Sequence, residues 1–81
     1  MNQQTLEPSR GNRQIPGRQL VREWTSLQHG DCVEVWSPDS FLYAAYVDDR
    51  SDDDQLIWVI ENRTGCRRLF VRDDPVTLYS I

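Results

Sequence analysis

Lysine is absent from this chain, and all nine basic residues are arginine against thirteen acids, for a formal net charge of −4. Arginine codons are mostly GC-rich, so the pattern points to a GC-rich bacterial source. Cysteine is scarce as well. Cys32 and Cys66 are too few for the disulfide framework of a small secreted domain and form no C-x-x-C pair, so two reduced thiols are expected. The longest apolar run, Leu56 to Ile60, falls far short of the roughly 18 residues a membrane helix requires. With no apolar stretch of signal-peptide type near Met1, the expected location is the cytoplasm. One histidine, His29, has no partner motif and reads as a surface turn residue. Without G-x-S-x-G, H-E-x-x-H or a Gly-rich phosphate loop, the sequence offers no catalytic constellation, and neither an enzyme nor a cofactor is expected.

What is present divides along the chain. At 81 residues there is room for one domain with a thin core. Residues 1–17 hold only Leu6 and Ile15 as sizeable apolar side chains after Met1, and read as a disordered arm. Residues 18–27 read as a short helix or extension, because Leu20, Val21, Trp24 and Leu27 recur at helical spacing. That element would lie as a lid over one end of the body, with Trp24 beneath it. Residues 1–23 carry four arginines against two acids, whereas residues 24–81 carry five against eleven. An acidic body repels phosphate backbones, which disfavours nucleic acid as the partner.

From residue 28 onward, short alternating runs are separated by turn signals. Strands are predicted at about Cys32 to Trp36, Phe41 to Asp49, Gln55 to Glu61, Cys66 to Val71 and Val76 to Tyr79. Between them lie Ser37-Pro38-Asp39-Ser40, the acidic Asp48 to Asp54, Asn62-Arg63-Thr64-Gly65 and Asp73-Asp74-Pro75. The acidic stretch lacks the spacing of a calcium loop and reads as a solvated hairpin tip. Five short strands in so few residues make a mainly β, small antiparallel barrel. Its expected core is Leu27, Val33, Val35, Ala45, Val47, Leu56, Trp58, Ile60, Leu69, Val71, Val76 and Leu78. Arg67 and Arg68 are expected near acids of neighbouring strands. If the first two strands pair, Trp36 and Tyr43 come from opposite sides of the first loop and would stand together at its mouth, either as an exposed recognition surface or as core.

The succession Gly30-Asp31, Trp36-Ser37-x-Asp39 and Tyr43-x-Ala45-x-Val47 resembles the start of a Tudor domain, a five-stranded SH3-like barrel, and the likeness covers residues 28 to 79 through Gly65, Arg67-Arg68 and Asp74. Parts of the pattern recur in agenet and chromo-barrel types. Tudor domains that read methylated side chains do so with four aromatics and an Asn around a cation. By this resemblance Trp36 and Tyr43 match the first two aromatics, Glu61 and Thr64 stand at the other two positions, and Cys66 stands at the Asn. Two walls are missing, and since each ring contributes only about 0.5 to 2 kcal/mol, methylarginine reading is not implied. The resemblance implies a non-catalytic binding or adaptor module that holds a basic side chain of a protein or peptide at Trp36, Phe41, Tyr43 and Glu61. The alternatives are a nucleic-acid-associated barrel and a structural homo-oligomer whose interface includes Leu42, Tyr46, Phe70 and Tyr79; monomer and homodimer are both open.

Overall fold

A computed structural model describes residues 18–81; the expected disordered arm lies outside the described residues. The elements in chain order are β1 (Gln19–Leu20), a 3-10 helix (Trp24–Ser26), β2 (Cys32–Trp36), β3 (Phe41–Arg50), β4 (Leu56–Glu61), β5 (Arg67–Val71) and β6 (Thr77–Ser80). The six strands form one antiparallel sheet in the order β1-β6-β2-β3-β4-β5. Four hairpin-linked strands make a meander, and β6 returns to lie beside the first of them. No helix among the described residues is long and apolar enough to cross a membrane.

Alternation explains why the core lies on one face of this sheet. In β2, Val33 and Val35 are fully buried while Cys32 is exposed and Glu34 half-buried. Residues directly opposite in an antiparallel pair share a face, so the registers Val33 to Ala45, Val35 to Leu78 and Val47 to Val59 gather all six side chains on the same side. Ile57 joins them two residues before Val59. Among the described residues, Trp24 and Leu27 are the buried ones that come from outside these strands. A sheet with so little to cover it buries its inner face by curling. The register slips between Val35 and Trp36 and between Val47 and Asp49 admit the extra residues that bend β2–β3 and β3–β4. β1 and β5 remain the two outer strands of the order and are not paired with each other.

The structure corrects the expected strand count. There are six strands among the described residues, and where a short helix or extension was expected over residues 18–27 the chain forms β1 and a single 3-10 turn. Gln19 and Leu20 pair with Ser80 and Tyr79, and the Val21 amide donates to the Leu78 carbonyl at 2.9 Å. This added strand satisfies backbone groups of β6 that would otherwise form an open edge. The apolar spacing that suggested a helix resolves differently. Leu20 faces solvent, and only Trp24 and Leu27 are buried. These two lie three residues apart, the repeat of a 3-10 helix, and the Leu27 amide closes on the Trp24 carbonyl at 3.0 Å.

That turn is held from a distance. Asp54, in a left-handed conformation with φ 66°, turns its Oδ1 to the amides of Trp24 at 2.6 Å and Thr25 at 3.3 Å. Arg72 lies 4.9 Å over the Trp24 ring, donates to the Arg22 carbonyl and pairs with Asp54 at 3.6 Å. Thus the β3–β4 turn supplies the cap that the sequence before Trp24 lacks.

Six expected core residues are in place or packed deep: Leu27, Val33, Val35, Ala45, Val47 and Leu78 are buried, and Val76 packs partly against them. The others require correction. On β4, Ile57 and Val59 are buried, while Leu56, Trp58 and Ile60 are half-buried on the other face. On β5, Phe70 turns to the core, and Leu69 and Val71 face solvent. The run Leu56 to Ile60 is apolar at every position, so it carries no alternation from which to choose a face, and the choice propagates across the ladder to β5.

Candidate binding surface

Trp36 and Tyr43 do not stand together. Tyr43 lies opposite Val35 and therefore shares the core-side face, whereas Trp36, one residue on, points to the outer face. The register slip after Val35 puts Phe41 opposite Trp36. Each ring consequently has its own surroundings, on opposite faces of the sheet.

On the outer face, Trp36 meets Phe41 edge-on at 5.7 Å and Tyr79 edge-on at 6.0 Å. Its indole Nε1 donates to Glu34 Oε1 at 3.0 Å. The other oxygen of Glu34 accepts from Arg18 at 3.0 Å, and the Arg18 guanidinium lies 6.0 Å from the Trp36 ring centre. Phe41 is 47% exposed, and Leu20, paired with Tyr79 in register, extends the apolar face. Expected as a binding residue near Trp36, Phe41 is indeed its direct neighbour.

On the core-side face, near the start of β3 and at the end of β4, Glu61 lies opposite Ala45, two residues from Tyr43, so the two point the same way. The turn after Glu61 fixes it: Gly65, at φ 72°, donates to the Glu61 carbonyl at 2.8 Å, and the Glu61 amide donates to Cys66 at 2.9 Å. Arg68 fills the space between them. Its guanidinium lies 5.3 Å over the Tyr43 ring and donates from Nε to Glu61 Oε1 at 2.9 Å, with Nη2 paired to the same oxygen at 2.8 Å. Burial pushes the Tyr43 phenol above its ordinary value of 10.0, against the lowering pull of Arg68 and with Glu61 adding to the rise. The hydrogen bond that Arg68 donates to Glu61 raises the pKa of the guanidinium.

The same arrangement recurs at four rings. Arg18 with Glu34 serves Trp36, Arg68 with Glu61 serves Tyr43, Arg67 with Asp48 serves Trp58 at 5.2 Å, and Arg72 with Asp54 serves Trp24. Each cation sits over an aromatic face and is paired with its own carboxylate. The expected closeness of Arg67 and Arg68 to acids of neighbouring strands takes this form. Arg18, Glu34, Tyr79 and Arg68 were not recognised as parts of the site from the sequence. For Arg68 a signal existed: with Val59 opposite Arg68, Glu61 is its diagonal neighbour on the same face, but only the register supplies that fact.

Thr64 and Cys66 lie in the turn after β4, where Thr64 Oγ1 accepts from the Cys66 amide at 3.1 Å. Both cysteines are free and exposed. His29 sits at an exposed turn with Nδ1 2.7 Å from the Asp48 carbonyl. Compared with protein-family models, with curated proteins and with solved structures, the chain matches none.

Proposed function

We propose that this chain is a small binding module of Tudor-like, SH3-type curl that holds an arginine-bearing, partly apolar segment of a protein partner. The observation that carries the reading is the outer cluster of Trp36, Phe41 and Tyr79 beside Glu34. It joins exposed ring surface to a carboxylate that already holds a guanidinium, which is the chemistry an incoming arginine needs. Exposed Leu20 and Phe41 would receive apolar neighbours of that arginine. The meander with β6 returned beside β2, and the bulged ten-residue β3, support the barrel-like curl. Nucleic acid is the poorer partner, because Arg67, Arg68 and Arg72 are each engaged by a carboxylate.

Selection from a random peptide display library tests this. Enriched sequences should combine arginine with bulky apolar residues, and binding should fall at least tenfold in Trp36→Ala and Phe41→Ala variants that remain folded by circular dichroism. Enrichment indifferent to both substitutions, or none at all, would reject the reading.

A further inference from the structure

We infer that Tyr43 and Glu61 form a second guanidinium site whose resident occupant is the chain's own Arg68, so that a partner's arginine enters only in exchange for it. This rests on the arginine-binding function proposed above and concerns how one of its sites is controlled. The occupant shows what the site accepts. Arg68 presents Nε and Nη2 together to one carboxylate oxygen while its Cζ lies 5.3 Å over a phenol ring, a combination a compact ammonium cannot reproduce. The two halves of the site differ in exposure. The Glu61 side chain is 12% exposed and tied through its backbone to the 62–66 turn, whereas the Arg68 side chain is 46% exposed on β5, an outer strand of the sheet. The carboxylate is therefore the enclosed partner, and the cation is the one with open solvent to swing into. Arg67, the preceding residue of β5, does not compete for Glu61, since it is held by Asp48 at 2.8 Å.

An exposed ion pair and a cation over one ring each contribute modestly, so Arg68 lowers the affinity for an external guanidinium by about 5- to 30-fold. The self-occupied state thus sets a threshold. A partner must bring additional contacts, such as those on the Trp36 face, before its arginine displaces Arg68.

The test is a titration followed by NMR at the Tyr43 ring, the Glu61 carboxyl carbon and the Trp36 indole, using acetyl-Gly-Arg-Gly-amide and its lysine counterpart on the full chain. The expected result is a dissociation constant at Tyr43 and Glu61 about 5- to 30-fold lower in Arg68→Ala than in the unaltered chain. The gain should be absent for the lysine peptide and cancelled by Glu61→Gln in the same background. Arg68→Lys, which keeps the charge and the edge strand but loses the planar fork, should give a smaller gain and guards against a folding defect in Arg68→Ala. Equal affinity for the arginine peptide with and without Arg68, or a gain that survives Glu61→Gln, overturns the exchange while leaving arginine binding at Trp36 intact. No shift at Trp36 or Tyr43 in any variant overturns both. Methylguanidinium is titrated alongside, and binding tighter than the peptide's would overturn the assignment of the site to a protein side chain.

Discussion

Asp54 links three parts of the chain, and replacing it separates their contributions. Its carboxylate caps the 3-10 helix through the Trp24 and Thr25 amides and faces Arg72, while its backbone stands at φ 66°. Asp54→Asn keeps an acceptor oxygen and a residue that tolerates the left-handed region, losing only charge, and should cost about 0.5 to 1 kcal/mol. Asp54→Gly removes the cap but suits the backbone, at about 1 to 2 kcal/mol. Asp54→Ala loses the cap and strains the backbone, for about 2 to 3 kcal/mol. The expected order of loss is therefore Asn, then Gly, then Ala. For a domain of this size each kcal/mol lowers Tm by about 4 to 8 °C, so the three are resolvable in thermal and urea unfolding. Tryptophan emission should also shift red in Asp54→Ala as Trp24, 4% exposed in the native fold, gains solvent. If Gly were as damaging as Ala, the positive φ would carry no strain. If Asn were as damaging as Ala, the side-chain oxygen would not be capping Trp24, and the docking of residues 22–25 would need another cause.

Two further outcomes test the core and the ring site. Ile57→Ala should cost about 2 to 5 kcal/mol and Leu69→Ala less than about 1, because Ile57 is fully buried and Leu69 is 49% exposed; urea midpoints reversed from this order would refute the face assignment of β4 and β5. Tyr43 is stabilised in its neutral form, with a folded pKa above 10.0, so its contribution is fully present below pH 10 and lost as pH rises through the folded value. Urea unfolding between pH 9 and 12 should show that loss in the unaltered chain and less of it in Tyr43→Phe; parallel curves would refute it.

The chain's sequence determined the local pattern. Alternation in Cys32–Trp36, and of Tyr43, Ala45 and Val47 with Ala44 and Tyr46, lets Val33, Val35, Ala45 and Val47 be named as inward. The turns around Pro38, Gly65 and Pro75 are legible in the same way, from residues with few backbone options. Trp24 and Leu27 announce their burial by size and spacing. What the sequence left open is whatever depends on register and on distant partners. Leu56 to Ile60 offers two equivalent faces, and only pairing with β3 selects Ile57 and Val59. Residues 18–27 have a helical apolar spacing, yet β6 offers the first of them backbone partners and Asp54 offers the next turn its cap, and these tertiary bonds outweigh a weak local preference. The candidate site follows the same division. Its rings and Glu61 can be named from the chain, but a one-residue offset across the β2–β3 ladder sends Trp36 and Tyr43 to opposite faces, and the tertiary structure alone places an arginine and a carboxylate beside each.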